Sequence, residues 1–327
     1  MDMPARKGQC RCLVTGGLGY TGTWISRHLA SKGHEVFIFS RNSARIEPDF
    51  PCTLIRGDVE RLDSEETACR LPEGLDLVVH TAGLTEDSLP DYPRRALRAN
   101  SLGTRNLLDA LLRCSGEHGG QLPLVVYCST IHVYGRNNGL ISEESPAAPM
   151  NDYAVTHFFA EEYCRMFMRM YGLPCVILRL SNGYGAPGSP DGAAWRLLLN
   201  NLCRSALRDG ELRLRSDPST PRDFVWLGDY CRVIEALMHR RDLAGRIFNV
   251  SLGKSLSIGE VAARTAKTVS VVTGREIPLF QGKTEPGRKN FLEISNKALT
   301  SALNISFEDR MEDEIRKILR LLQETDS

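Results

Sequence analysis

Three glycines, Gly16, Gly19 and Gly22, stand in the segment TGGLGYTG, directly after a short apolar run and directly before a helix-like stretch. In that context they form a dinucleotide cradle. Gly16 permits a tight turn, Gly19 lets the backbone approach a pyrophosphate, and Gly22 lets the following helix pack closely on the strand. The free N–H groups at the helix N-terminus then face the anion. About 20 residues further on, an acidic side chain usually holds the ribose 2′-hydroxyl of NAD. Here that place reads Phe39-Ser40-Arg41. A hydroxyl followed by a guanidinium suits a 2′-phosphate, because arginine gives charge-assisted, paired bonds to phosphate oxygens. The expected cofactor is therefore NADP, with NAD as the alternative. Asp58 is placed to accept from the adenine amino group, and Ala82-Gly83 lets the chain pass close to the cofactor.

These residues need a frame that holds loop ends in register. From Cys10 to Ser129 short apolar runs alternate with amphipathic stretches, the pattern of strand-helix-strand units around a parallel sheet. Strands are expected at 12–16, 35–40, 52–57, 76–82, 124–129 and 174–180. LVVYC and DLVVH are continuously hydrophobic, as strands covered on both faces should be. A helix over 96–113 would bury Leu97, Leu107, Leu108, Leu111 and Leu112. Another over 152–171 leads into the sixth strand. The Gly/Pro-rich stretch GYGAPGSPDG then ends the alternation. The fold class is α/β: a Rossmann-type doubly wound parallel sheet over residues 8–181, to which some later segments return, and a smaller C-terminal substrate-binding lobe over 182–327. That lobe should hold helices near 193–208 and 229–240, an extended piece at 222–227, a strand at 247–251 and three later helices.

Composition narrows the class further. The 327 residues are 42% hydrophobic and 25% charged, an ordinary globular balance. Lys plus Arg number 41 against 40 Asp plus Glu, a net charge of +1, so no long-range field favours nucleic acid or an anionic membrane. Ten cysteines without any CxxC argue against a zinc site and a secreted disulfide framework. No run approaches the roughly 20 apolar residues of a membrane span, and the N-terminus lacks a signal-peptide pattern. A cytoplasmic location is expected.

Several motifs recur together in order: the glycine loop, YCSTIHVYG (127–135), NDYAVTHFFAEEY (151–163), LRLSNGYGAPG (178–188), RDFVWLGDY (222–230) and PGRKNFLEIS (286–295). With them the chain resembles the extended short-chain dehydrogenases/reductases of the nucleotide-sugar epimerase/dehydratase type, from about residue 12 to 307. The resemblance implies a Ser/Thr hydroxyl, a Tyr acid/base and a Lys four residues after it. Tyr153 takes the acid/base role and Thr130, ahead of Ser129, the hydroxyl that holds the sugar oxygen. The helper position holds His157 in place of Lys. Tyrosine titrates near 10, so it acts as a base near neutrality only beside positive charge. A histidine with an ordinary pKa near 6.5 supplies only part of one. Three readings follow: substitution with reduced efficiency, proton relay in an altered site, or nucleotide binding without efficient turnover.

On the substrate side, the resemblance implies that Asn182 reaches toward a sugar-nucleotide diphosphate and that Arg222 and Arg288 grip its ribose and diphosphate. Asn201 lies on a helix that covers the nucleotide in relatives, and the loop 84–94 borders the sugar. Where sugar 4,6-dehydratases carry Asp and Glu after the catalytic Thr, this chain has Ile131 and His132, which disfavours dehydration. The leading reading is epimerisation of a nucleotide-diphosphate sugar through a transient ketone. The alternatives are an NADPH-dependent ketoreductase and a nucleotide-binding regulator or inactive relative. Relatives pair helices into a dimer, and here 96–113 and 152–171 are the candidates for a homodimer, the latter carrying Phe158, Phe159, Met166, Phe167 and Met170.

Overall fold

The computed structural model describes residues 8–41, 48–63, 70–85, 91–117, 121–189, 192–282 and 291–325. Two compact units emerge, and each is described by itself. The first comprises Met1–Gly135, Pro146–Leu180 and Cys231–Phe248. It is built on β1 (Arg11–Thr15), α1 (Tyr20–Ser31), β2 (Glu35–Ser40), β3 (Thr53–Arg56), β4 (Leu77–His80), α2 (Tyr92–Ala96), α3 (Gly103–Glu117), β5 (Leu124–Thr130), α4 (Asp152–Tyr171) and β6 (Cys175–Leu180). With β7 (Ile247–Val250) the strands form one sheet in the order β7-β6-β5-β4-β1-β2-β3. The pairs β2·β1, β1·β4, β4·β5, β5·β6 and β2·β3 are all parallel. The order reverses between β1 and β4, and this doubly wound pattern leaves a crevice at the strands' carboxyl ends.

Central strands are apolar along their whole length because helices cover both faces: Leu77, Val78 and Val79 have no exposed surface, and neither do Leu124, Val125 and Val126. On one face Leu13, Val78, Val125 and Ile177 pack against Leu107, Leu111, Ala160 and Phe167. The helix expected over 96–113 differs from what is found. It begins at Tyr92, and a π-helical stretch, Leu97–Leu102, separates α2 from α3. The wider turn breaks the 3.6-residue register, so Leu97 is 41% exposed while Leu107, Leu108 and Leu111 are buried. The π segment aims Asn100 inward, where its Nδ2 donates to the Thr156 hydroxyl at 3.0 Å and its Oδ1 accepts from the Leu84 N–H at 2.6 Å.

The second unit comprises Arg136–Ser145, Ser181–Tyr230 and Asn249–Ser327. A small sheet joins Asn182–Tyr184, Pro221–Trp226 and Ser255–Ser257. The helices Leu198–Asp209, Ile258–Thr273 and Met311–Thr325 enclose an apolar core with Trp195, Leu202, Val261 and Ile318. The helix expected near 193–208 is split into a 3-10 turn, Ala193–Arg196, and the α-helix from Leu198. The one expected at 229–240 runs over Leu227–Leu237, and from Cys231 on it belongs to the first unit and not to the C-terminal lobe. No described helix is long and apolar enough to cross a membrane. The nine described cysteines are free thiols, and no metal-ligating cluster occurs among the described residues.

Candidate active site

The loop after β1 is shaped by its glycines. Gly16 has φ +69°, and a Cβ there would lie 2.8 Å from the Ala82 backbone, so the loops after β1 and β4 touch only because that carbon is absent. A Cβ on Gly22 would lie 2.2 Å from the Gly16 carbonyl oxygen, whereas one on Gly19 meets only that oxygen, at 3.2 Å. Gly19 caps α1 without any side-chain hydrogen bond, and no acidic residue stands in the first turn. That helix end can receive an anion.

At the carboxyl ends of β2 and β3 a cavity of about 510 Å³ is lined by Phe39, Gly57, Leu62, Asp58 and four arginines, Arg41, Arg56, Arg61 and Arg70. Ser40 stands opposite Arg56 in register. Asp58 caps a 3-10 turn by accepting the Glu60 N–H at 3.1 Å, and its other oxygen is 4.0 Å from Arg41 Nη1. Gly83 is exposed, and a Cβ there would lie 3.1 Å from Asn100 Oδ1.

The reactive cluster is held between β5 and α4. Asn151 caps α4, its Oδ1 accepting the Ala154 N–H at 2.9 Å, which sets Tyr153 in the first turn. Tyr153, His157 and Glu161 follow at helical spacing of four on one face, while Tyr127 and Ser129 share a face of β5. The two periodicities mesh. The Tyr127 hydroxyl lies 2.7 Å from His157 Nδ1, and Ser129 donates to Glu161 Oε1 at 2.6 Å. Arg179 on β6 grips both Glu161 oxygens, at 3.0 and 2.6 Å, so Ser129 is committed to a buried ion pair. Thr130 is buried at the strand end and accepts the His132 N–H at 3.2 Å, and its side chain lies close enough to the Tyr153 phenol to favour the ionised form.

Burial raises the Tyr153 phenol above its ordinary value, and the nearby Thr130 side chain pulls the other way. Burial also pushes His157 down to about 4, with a further push from His132. The ordinary value near 6.5 expected from sequence is thus displaced, and His157 brings still less positive charge to Tyr153. A second buried histidine, His80, is pushed down to about 3 by burial and by His157. It bridges Thr15 Oγ1 (2.6 Å) and Thr104 Oγ1 (2.9 Å), tying β1, β4 and α3 together.

Beside Tyr153 a cavity of about 510 Å³ is lined by Thr85, Asp91, Tyr92, His132, Asn151 and Asp152. Ile131, next to Thr130, is buried, and the exposed His132 ring stands 5.9 Å from Tyr153 between centroids. In the second unit, Asn182 donates to the Asp223 carbonyl at 2.8 Å, Arg222 pairs with Leu256 in register, and Asn201 is exposed on the helix Leu198–Asp209. Arg288 lies outside the described residues. Sequence reasoning missed Tyr127. Its signal was a hydroxyl directly after the apolar run LVV, two residues before Ser129 and so on the same face of the strand.

The residues fit a nicotinamide dinucleotide on observations of this chain: the cradle that a Cβ would fill, the uncapped start of α1, and the buried His157 Nε2 without a partner among the described residues. Fold and site together define a Rossmann-type, dinucleotide-dependent enzyme. Residues 12–251 match the NAD dependent epimerase/dehydratase family, and the chain belongs to it. It is 29% identical to UDP-glucose 4-epimerase of Azospirillum brasilense over 295 residues, covering 85% of this chain and 81% of the relative. It is 28% identical over 284 residues to the uncharacterized UDP-glucose epimerase YtcB of Bacillus subtilis, covering 82% of this chain and 84% of the relative. Among solved structures, MoeE5 in complex with UDP-glucose and NAD superimposes with TM-score 0.78 at 24% identity, covering 97% of this chain and all (100%) of that one. UDP-glucose 4-epimerase of Thermotoga maritima with UDP-glucose gives TM-score 0.80 at 21% identity, covering 97% and 100%.

Proposed function

We propose that this enzyme epimerises a nucleotide-diphosphate sugar, with Tyr153 as the acid/base and Thr130 holding the reacting sugar oxygen. The observation that carries the reading is the Tyr153 phenol, one helical turn from His157, at the edge of a cavity of about 510 Å³, with the Thr130 side chain close enough to favour its ionised form, in a member of this family. A nicotinamide held by these residues would supply reversible hydride transfer at a sugar carbon. Tyr153 takes the hydroxyl proton in the first half and gives it back in the second, so no proton is consumed. Thr130 keeps the oxygen within reach of the phenol throughout. His157 meets the nicotinamide ribose. Gly16, Gly19, Gly22, Ala82 and Gly83 line the cofactor's path, and Asp58 takes the adenine amino group. Asn182 reaches toward the substrate diphosphate, Arg222 and Arg288 hold the nucleotide ribose and diphosphate through paired charge-assisted bonds, and Asn201 lies on the helix that covers the nucleotide. Ile131 has no proton to move, which leaves dehydration unsupported.

The preferred cofactor form is NADP. Four arginines around the cavity at Ser40 and Arg41 favour a 2′-phosphate over a bare hydroxyl. The same observation favours a second reading, a ketoreductase that consumes NADPH. We further infer a homodimer, with exposed Leu97 and Leu102 at the two ends of the π segment and Phe159 and Met170 on α4 offering apolar surface, while Phe167 is buried against its own sheet. The free thiols suit a cytoplasmic setting, and the near-zero net charge speaks against nucleic acid as partner.

Calorimetric titration of apo-protein with NADP and NAD tests the cofactor reading. NADP should bind at least about tenfold more tightly, and Arg41→Ala should erase most of that difference. Equal affinities would overturn it. Incubation with a panel of sugar nucleotides separates the reactions: an epimer without net absorbance change, stoichiometric loss of NADPH, or neither for a binding protein.

A further inference from the structure

His157 has two ring nitrogens in different surroundings. Nδ1 lies 2.7 Å from the Tyr127 hydroxyl, and Nε2 is buried without a hydrogen-bond partner among the described residues. Tyr127 is 2% exposed, and its hydroxyl makes no second hydrogen bond among the described residues. We propose that Tyr127 is a positioning residue that donates to Nδ1 and so fixes His157 in the Nε2–H tautomer, making Nε2–H the donor offered to the nicotinamide ribose.

The tautomer follows from counting unsatisfied atoms. With the proton on Nδ1, that N–H would donate to the Tyr127 oxygen, the phenol proton would be buried without an acceptor, and Nε2 would still be unmatched. With the proton on Nε2, the phenol donates to Nδ1 and one group is left over. An orphaned buried donor is costly, so the second arrangement wins. The leftover group is then an N–H on the side chain that stands where relatives carry a lysine. A lysine ammonium brings three rotatable donors and needs no partner to select among them. An imidazole needs its other nitrogen held, the role that second hydrogen bonds commonly play for functional histidines. The register explains why Tyr127 can do it: two residues apart on β5, Tyr127 and Ser129 meet His157 and Glu161, four apart on α4. The ribose contact rests on the proposal that this chain binds a nicotinamide dinucleotide; the tautomer does not.

The test is ¹⁵N NMR of the histidine rings in the full chain without cofactor, with His157 assigned by comparison with His157→Gln, together with cofactor affinities of four proteins: wild type, Tyr127→Phe, His157→Lys and the double variant. The expected spectrum shows a protonated Nε2 and a bare Nδ1 in the wild type, and mixed tautomers in Tyr127→Phe. Tyr127→Phe should weaken cofactor binding about fivefold or more with His157 present and less than about twofold with Lys. A protonated Nδ1 in the wild type overturns the proposal. So does an equal loss of affinity in both backgrounds, which would make Tyr127 a packing residue only. If the wild type binds no dinucleotide at all, the functional reading and the ribose contact fall together, and the spectrum alone decides the tautomer.

Discussion

The Tyr153 ring meets the His157 ring edge-on, with centroids 4.6 Å apart and planes at 65°. The helper is therefore beside the phenol, as one helical turn requires, but it is held neutral by burial. A lysine at this place would bring fixed charge. His157→Lys should raise turnover near pH 7 by about tenfold and move the alkaline rise of the rate profile to lower pH, because positive charge favours phenolate. The wild type should show no step between about pH 5 and 8, since His157 titrates near 4. Steady-state rates across pH for the two proteins and Tyr153→Phe in each background check this. A His157→Lys protein that binds cofactor, folds and is slower than wild type would show that the imidazole is specifically needed.

Acid should destabilise the fold through the two buried histidines. Their folded values, about 4 for His157 and about 3 for His80, lie below the unfolded value near 6.5. Between these values the unfolded chain binds more protons, so the stability they confer is full above about pH 6.5 and is lost as pH falls. For His157 alone the loss between pH 7 and 5 is about 2 kcal/mol. Urea unfolding at both pH values should show His157→Gln less sensitive to acid than wild type by about that amount. Equal sensitivity would contradict it.

Glu161 and Arg179 form an ion pair whose side chains are 0% and 3% exposed. Glu161→Ala leaves a buried guanidinium without its carboxylate and should cost roughly 3–5 kcal/mol in chemical denaturation. A loss below about 1 kcal/mol would mean that water or another group neutralises Arg179.

Arg222→Ala and Arg288→Ala should each raise the substrate KM, by about 1.5–3 kcal/mol expressed as free energy, with cofactor affinity nearly unchanged. Isothermal titration of substrate and cofactor separately decides this. Unaltered substrate binding in both variants removes these arginines from the site.

What could be read from the sequence was local. Gly16 and Gly22 announce their turn because no side chain fits there, and the buried strands announce themselves as unbroken apolar runs. The π segment at Leu97–Leu102 could not be read, because inserting one residue into a turn changes no residue type. Tyr127 was hidden for a related reason. On a strand buried on both faces a tyrosine reads as core, and its partner lies 30 residues away on a helix. The depressed titration of His157 depends on packing from several elements, which a single-letter code does not carry.

The most direct measurement gives purified wild type and Tyr153→Phe a panel of UDP-sugars with cofactor and follows sugar configuration by NMR and nicotinamide absorbance together. The account predicts a new epimer with wild type, no net change in absorbance, and no product with Tyr153→Phe. Wild-type protein that holds cofactor and sugar yet forms no epimer, or that forms it equally well without the Tyr153 hydroxyl, would contradict it.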